Sequence, residues 1–581
     1  MKMKNSFIKL FLFTAILFAA SCETIDLDQT EDPSGVPDNL LDPVYVFNHA
    51  QLELADFVNS SNAFTQRVTR QMAMTGGNTY DNAFAPVNFN NNWNTAYRML
   101  NAIKTMEPNA VKNNQFYVLG ASKVIRAYVL ITLTDMYGDI PLTEALQGNG
   151  NLSPKFDKSA NVYKQVLTEL DAAIEILQRT GSNDERVQDL YYTSTSGWVK
   201  LANTLKLKMY NTARLAGADI GVNIGTAMLE VIAQDNYIKE IADDFAFQYG
   251  NSRFSPNARH PLYNDQYELG GGAYIANYYM WAMTTEKDIT VGANGPSTSG
   301  FGDPRVNFYF YKQDANPADE NEFTLPGRSR PAHYSDQKYS SFFVDGRLTP
   351  YTTSNWTGQT GIQSNGYWGR DHGDNSGIPP DDTKRTVGGI FPIGGAYGVP
   401  GTVQTGGDKG ALGAGIMPIL LSSYVHFMKA EAFLELGIGT VADAKAEMLL
   451  GISQSIDKVI NFKPNYQYVA GTAPNMTQLN QQKADYLAYI GAKFDDVSQA
   501  QKLELIIKEY YIAAWGNGIE PYNNYRRTGY PSNFQPTLEP VSGAFFYTAL
   551  YPGESVNNNP NAPTNNRTRK VFWDKGNLQL H

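Results

Sequence analysis

The side chains best suited to binding chemistry lie in three short clusters of aromatic and amide residues. The first cluster is "GGNTYDNAFAPVNFNNNWNTAY" (76–97), which contains Tyr80, Asn82 and Phe84. An aromatic ring offers a flat apolar face to the C–H face of a sugar, and amide groups hydrogen bond to hydroxyls. Because this cluster is poor in charge, it suits a neutral, hydroxyl-rich ligand better than a nucleotide or a metal ion.

The second cluster is "YIANYYMWAM" (274–283), and the third is "YWGRDHGDNSGIPPDD" (367–382), the densest polar and aromatic stretch of the chain. The third cluster places an arginine and aspartates beside two large rings, which supplies hydrogen-bonding groups next to stacking surfaces. We therefore expect the ligand-binding residues to be Tyr80, Asn82, Phe84, Trp281, Tyr367, Trp368, Arg370 and Asp371.

Each of these clusters has a structural alternative. Large aromatic residues usually pack in a core, and for Trp93 and Trp281 packing between helices is an equally good prediction. The acids of the third cluster, among them Asp371 and Asp374, could hold a structural Ca²⁺, an ion that prefers several oxygen ligands. A solvated loop with side-chain capping hydrogen bonds is the commoner reason for such acids, so no cofactor is expected.

The sequence contains none of the short motifs of the common enzyme classes. It has 6 histidines and 1 cysteine, without HExxH, CxxC, GxSxG or a phosphate-binding GxxxxGK[ST]. A pair of carboxylates for glycoside hydrolysis would leave no such motif, because that chemistry is defined by spatial separation. The chain is therefore expected to be a binding protein, with a surface glycoside hydrolase as the alternative.

Composition narrows the class of partner. The chain has 581 residues, of which 42% are hydrophobic and 18% charged, so burying a large core is not in doubt. Its 47 Lys and Arg against 57 Asp and Glu give a net charge of −10, and no long basic run is present. Nucleic acid is therefore not an expected partner.

The N-terminus resembles an export signal followed by a lipidation site. Lysines precede an apolar stretch, 7–20, which is too short to span a bilayer as a mature helix. The single cysteine, Cys22, follows directly after small residues, as the acylated cysteine of bacterial lipoproteins does. We predict a signal peptide over 1–21, acylation of Cys22 as the lipid anchor in the membrane, and an acidic tether over 22–41.

Helical periodicity dominates both ends of the remaining chain. Stripes of apolar residues predict helices over 114–137 and 159–177, the second with Ser159 as its N-cap, and over 196–217 with Gly217 as its stop. The sequence from about 243 to 415 is rich in Gly, Pro and Asn and reads as an irregular lobe that presents the ligand. The expected parts are thus a helical part (42–242), this lobe (243–415) and a second helical part (416–581).

One helix end carries a resemblance to a known family. "LTDMYGDIPLTEA" (133–145) resembles the signature of the SusD/RagB family of nutrient-binding outer-membrane lipoproteins. Gly138 suits a C-cap there, and Pro141 prevents the helix from resuming. Further stretches resemble blocks of the family in the same order, among them "FMKAEAFLELG", "IEPYNNYRRTGYP" and "LYPGE".

The resemblance implies a mostly α-helical, SusD-like fold in which tetratricopeptide-like helix pairs carry a long irregular lobe. It implies a non-enzymatic protein anchored at the cell surface of the outer membrane, acting as the lid of a SusC-like TonB-dependent transporter. The expected ligand is an oligosaccharide, and the alternative within the family is a peptide or protein.

Overall fold

Long antiparallel helices form most of the computed structural model of the protein. The elements described below lie in one compact unit, Pro43–His581. The predicted signal peptide, Cys22 and the tether up to residue 40 lie outside the described residues. The structure describes residues 41–74, 79–184, 187–269, 273–284, 286, 291–292, 295–296, 303–313, 369–370, 372–373, 386–398, 406–462, 466, 473–535, 537 and 544–576.

Helices of eight residues or more are numbered here in chain order. In the first half they are α1 (Pro43–Val68), α2 (Asn90–Lys112), α3 (Phe116–Tyr137), α4 (Ser159–Leu177), α5 (Thr195–Thr212), α6 (Ile224–Gln234) and α7 (Asn277–Thr284). In the second half they are α8 (Ser422–Glu435), α9 (Val441–Ile460), α10 (Met476–Asp496), α11 (Gln499–Ala513) and α12 (Ile519–Thr528). Short helices cover Tyr80–Ala83, Gly217–Ile220, Pro261–Tyr263, Val306–Tyr309 and Gly553–Asn558.

Strands occur in the middle of the chain as antiparallel pairs. Strand β1 (Phe245–Gln248) pairs with β6 (Ile416–Leu420), with Phe245 opposite Leu420. The other pairs are β2 (Val291–Gly292) with β3 (Gly295–Pro296) and β4 (Phe310–Lys312) with β5 (Thr386–Gly388). The mostly α-helical fold expected from the sequence is confirmed.

The helices pack as neighbouring pairs, α1 with α2, α3 with α4 and α8 with α9. The apolar stripe predicted on α4 is buried from Val162 to Leu177. Helix α3 approaches it closely at Gly120, where a Cβ would lie 2.5 Å from Cγ of Leu177. Each pair thus buries the stripe of one helix against its neighbour, as in tetratricopeptide repeats.

Helix α3 forms the centre of the N-terminal half. By length and composition it is the one helix among the described residues that could cross a membrane, but 78% of its most apolar window is buried inside the protein. It ends at Tyr137 because Gly138 adopts a φ of 86°, a conformation that favours glycine. The C-cap predicted at this glycine is therefore confirmed.

A buried carboxylate ties α3 to the C-terminal part of the chain. Oδ1 of Asp135 accepts hydrogen bonds from the Tyr163 hydroxyl at 2.5 Å and from the Trp573 indole at 2.9 Å, and Oδ2 accepts one from the Asn523 amide at 2.8 Å. Arg526 donates to the backbone carbonyl of the same residue at 2.7 Å. The aspartate of the "TDMYGD" stretch thus joins α3 to α12 and to residue 573.

Two local sequence predictions were wrong. Ser159 is the first residue of α4 rather than its N-cap, and its backbone N–H donates to Oδ1 of Asp139 at 2.9 Å. Gly217 does not end α5, which stops at Thr212. Instead Gly217 opens a short helix where a Cβ would lie 2.6 Å from the carbonyl oxygen of Val222, so close packing requires the glycine.

Candidate functional site

The second and third aromatic clusters lie side by side in the structure. The backbone N–H of Arg370 donates to the carbonyl of Ile275 at 3.2 Å, and that of Asn277 donates to the carbonyl of Arg370 at 2.9 Å. The Asn277 side-chain oxygen accepts from the N–H of Gly369 at 2.8 Å. A Cβ on Gly369 would lie 1.9 Å from the Ile275 carbonyl oxygen, so only glycine permits this approach.

Tyr80 brings the first cluster to the same place. Its hydroxyl accepts a hydrogen bond from Nη2 of Arg70 at 3.1 Å and lies 3.3 Å from Nε2 of His372. Gln535 supports both neighbours: its side-chain oxygen accepts from the His372 N–H at 3.1 Å, and its carbonyl accepts from Nε of Arg70 at 2.8 Å. We name this assembly the Tyr80–Arg370 cluster; its members are Arg70, Tyr80, Tyr274, Arg370 and His372.

The cluster carries positive charge on aromatic supports. The guanidinium of Arg370 lies 4.1 Å from the centre of the Tyr274 ring, within the range of a cation–π interaction, and that of Arg70 lies 5.4 Å from the Phe534 ring. Burial, assisted by the charge of Arg70, lowers the pKa of His372 well below its ordinary value, so this ring is neutral at neutral pH. The histidine therefore serves as a hydrogen-bonding group and not as a further cation.

Arg70 occupies an unusual backbone conformation just beyond the end of α1. Its φ is 59°, in the left-handed region that residues with a Cβ rarely adopt. Its guanidinium is fully buried and bonds to the carbonyls of Val68 and Gln535 and to the Tyr80 hydroxyl. These hydrogen bonds stabilise the strained backbone at Arg70 and fix its guanidinium within the cluster.

Most of the described candidate residues are buried. Tyr80 is 1% exposed, Phe84 5% and Trp281 5%, and Arg370 is also buried, whereas Asn82 is exposed. Phe84 packs edge to face against Phe64, with centroids 5.0 Å apart. The described rings thus form a rigid support rather than a stacking surface open to solvent.

The remaining candidates lie outside the described residues. These are Tyr367, Trp368 and Asp371, together with Asp374 of the acidic group considered for Ca²⁺. Their contacts with a ligand stay a prediction, as do those of the described candidates. Trp93, for which packing between helices was the alternative, is 8% exposed and lies in α2, stacked within 6.2 Å of Phe156.

Sequence reasoning did not select Arg70 or His372. His372 lies inside the third cluster, "YWGRDHGD", and its place directly after the selected Asp371 was the available signal. Arg70 had no comparable signal, because its partners Tyr80 and Gln535 are 10 and 465 residues away. Only the folded chain brings them together.

Two described carboxylates, one in the first cluster and one just after the second, are held by cations. Asp81 pairs with Arg567, and Glu286 pairs with the ammonium of Lys508 at 2.8 Å. Within the part of the chain that the structure describes, no group of three or more His, Cys, Asp or Glu side chains is arranged to hold a metal ion. The described geometry is that of a buried, rigid assembly of rings and arginines that holds the three segments together.

Comparison with family models gives two matches. A model described as SusD-like, "Starch-binding associating with outer membrane", matches residues 38–324, and one described as "Susd and RagB outer membrane lipoprotein" matches residues 416–564. Together the two models match well over half of the chain. No curated protein is a significant match to the sequence.

Solved structures share the fold along nearly the whole chain. A SusD/RagB family protein from Bacteroides thetaiotaomicron is 18% identical with a TM-score of 0.59, and covers 91% of this chain and 99% of its own. A chitin-binding SusD homologue from Flavobacterium johnsoniae is 19% identical with a TM-score of 0.59 over 92% of this chain and 98% of its own. A further chitin-binding protein is 17% identical with a TM-score of 0.62, covering 92% of this chain and 100% of its own.

The family signature at the end of α3, the paired helices and these matches agree over both halves of the sequence. The chain belongs to the SusD/RagB family.

Proposed function

We propose that the protein is a lipid-anchored cell-surface protein that captures an oligosaccharide nutrient and acts as the lid of a SusC-like TonB-dependent transporter. The observation that carries the proposal is the meeting of three aromatic and amide segments in the Tyr80–Arg370 cluster, on a scaffold of this family. The cluster is built from segments that lie hundreds of residues apart in the sequence, and many contacts hold these segments together.

The chemistry of the segments that meet in the cluster favours a hydroxyl-rich ligand. The described rings, arginines and neutral histidine of the cluster are buried, so the groups proposed to contact a ligand are the exposed Asn82 and the remaining candidates of the third aromatic cluster. Because these buried side chains are already fixed by packing and hydrogen bonds, they lose little further freedom when a ligand binds to the protein. Asn82, exposed at the edge of the cluster, is the described residue best placed to contact the ligand first.

Binding without catalysis is the second part of the proposal. General acid catalysis needs a carboxyl group whose proton is available near the operating pH. Asp81 and Glu286 are instead held in ion pairs with Arg567 and Lys508. Reducing-sugar release from the bound glycan is the direct test, and none is expected.

Anchoring and partnership complete the proposal. Acylation at Cys22 would hold the protein at the outer membrane without a transmembrane helix, since each buried CH₂ of an acyl chain contributes about 0.8 kcal/mol. The paired helices offer repeat-like surfaces for the transporter, as helical repeats do for other partners. Mass spectrometry of the mature N-terminus tests the anchor, and co-purification with the transporter from solubilised membranes tests the partnership.

The ligand class is tested by titrating the full chain against a panel of oligosaccharides and peptides. Chitin oligosaccharides belong in the panel because two structural neighbours are chitin-binding proteins. Asn82→Ala and Trp368→Ala should weaken glycan binding, whereas Asn557→Ala, an exposed asparagine in the short helix Gly553–Asn558, should leave it unchanged. Binding of peptides alone would refute the oligosaccharide assignment.

A further inference from the structure

A second concave site lies apart from the Tyr80–Arg370 cluster. It is a cleft of about 830 Å³ between the end of β1 and the turn after it, the turn that precedes β6, and the C-terminal end of α9. No member of the Tyr80–Arg370 cluster lines it. Its volume falls within the about 300–1,000 Å³ of sites that bind small molecules.

Two aromatic rings in the cleft are fixed from behind and only partly covered. Tyr249 packs its ring against His260, with centroids 4.8 Å apart, and against Phe247 at 5.0 Å, while its backbone N–H donates to the carbonyl of Gly415 at 2.9 Å. Phe462 packs edge to face on Phe391 at 5.3 Å. Both rings are half-buried, so each keeps surface toward the cleft that they line.

The Tyr249 hydroxyl is largely buried and lies near Asp56 and Tyr191, which do not line the cleft. What the residue offers to the cleft is the uncovered part of its ring. A ring held in place in this way is a stacking surface, and the polar groups beside it come from other side chains. Sugar rings present the complementary pair of surfaces, a C–H face and a rim of hydroxyls.

Neutral amides supply the uncommitted polar side chains of the cleft. Gln248 and Asn251 are exposed, and neither side chain bonds to another described residue. Amide groups of this kind can donate to and accept from the same ligand. Backbone groups at Gly250 and Gly410 border the same space without side chains that would block a ligand.

The charged side chains at the α9 side of the cleft are already paired. Lys458 donates to Asp244 at 2.6 Å, and Asp457 accepts from Lys483 at 2.6 Å. A charged ligand would have to compete with these ion pairs, whereas an uncharged one would not. Asp408, the other charged residue of the described lining, pairs with Lys409 at 3.0 Å, so a neutral, hydroxyl-bearing ligand would have no ion pair to break.

We propose that this cleft is a second saccharide-binding site, which takes a short neutral segment of the same glycan that the Tyr80–Arg370 cluster captures. The proposal rests on the proposed function for its ligand class, while its position rests on Tyr249, Asn251 and Phe462. Two sites on one chain raise the effective concentration of a long glycan at the second site once the first is occupied. A polymer would thereby be held more tightly than either site holds a short fragment.

The test is titration calorimetry of the full chain with a two- or three-residue oligosaccharide of the glycan that binds. Wild type should bind two molecules per chain, and Tyr249→Ala combined with Asn251→Ala should bind one. Single substitutions should weaken the cleft site about ten-fold for Tyr249→Ala and about three-fold for Asn251→Ala, from lost apolar contact and a lost hydrogen bond. Matched controls are Tyr45→Ala, a tyrosine that is 66% exposed in the first turn of α1, and Asn557→Ala.

Hydrogen exchange of the wild-type chain provides a reading that does not depend on any variant folding. Ligand should protect amides in 248–251 and 457–462 in addition to those near Tyr80. A stoichiometry of one without protection in these segments overturns the second site and leaves the proposed function standing. Absence of binding to every glycan of the panel overturns both.

Discussion

Replacing Asp135 by alanine should destabilise the protein by about 4 kcal/mol. The substitution removes the acceptor of three buried donors, the Tyr163 hydroxyl, the Trp573 indole and the Asn523 amide. Each buried donor left without a partner costs about 1–3 kcal/mol. We expect the destabilisation to fall in the lower half of the range summed over the three donors, because the variant also avoids the free-energy cost of burying a carboxylate.

Chemical denaturation of the full chain, followed by tryptophan fluorescence, measures this loss directly. Asp135→Asn keeps one acceptor oxygen and should cost about half as much. The surface control is Asp495→Ala, whose side chain is 60% exposed and pairs with Lys445 at 2.6 Å; exposed pairs of this kind contribute about 1 kcal/mol or less. If Asp135→Ala lost no more stability than this control, the assigned role of the carboxylate would be refuted.

Three further predictions concern single side chains. Burial raises the pKa of Asp574 to about 6, so the folded wild type holds a proton that the unfolded chain releases near pH 4. This aspartate should lower the stability of the protein by up to about 3 kcal/mol as the pH rises from 4 to 6, and Asp574→Asn should remove that contribution from denaturation curves recorded across that range. Gly518→Ala should cost about 2 kcal/mol in the same assay, because its Cβ would lie 2.3 Å from the backbone nitrogen of Gln66. Glu431→Gln should cost about 3–5 kcal/mol, since Arg527 and a second arginine would lose their buried counter-charge.

Each of these predictions has its own control or contradicting result. Parallel pH curves for wild type and Asp574→Asn would contradict the first. The control for Gly518→Ala is Gly491→Ala. The Cβ of this variant would lie 3.5 Å from its nearest neighbour, inside α10, so the substitution should be neutral or stabilising. Asp171→Asn serves the third, because this 59% exposed partner of Lys206 should change stability by about 1 kcal/mol or less.

Local periodicity predicted the helices whose apolar stripe is continuous. Helix α4 begins and ends where the pattern from Val162 to Leu177 indicates, because this stripe is buried along its length against α3 and α5. The N-cap prediction for Ser159 was wrong because the backbone N–H of Ser159 donates to Asp139, which lies 20 residues earlier in the chain. The β1–β6 pair also joins residues far apart, Phe245 and Leu420, and no local pattern announces it.

The candidate site, too, could be predicted from the sequence only in part. Three clusters were recognisable from residue type, and the structure brings parts of all three together through Tyr80, Arg370 and Ile275. Burial of the rings could not be predicted, because residue type does not tell whether Phe84 faces Phe64 or solvent. The cleft at Tyr249 was invisible in sequence, since its lining comes from three separate segments.

The hydrogen bonds of Asp135 also bear on how the chain is made. During synthesis α3 emerges long before Trp573, so its buried carboxylate lacks two of its three side-chain partners until almost the whole chain is available. A chain interrupted before residue 573 keeps an unsatisfied acid at the centre of its helices and should be readily degraded. The aspartate therefore makes native stability depend on the segments that contain Asn523 and Trp573.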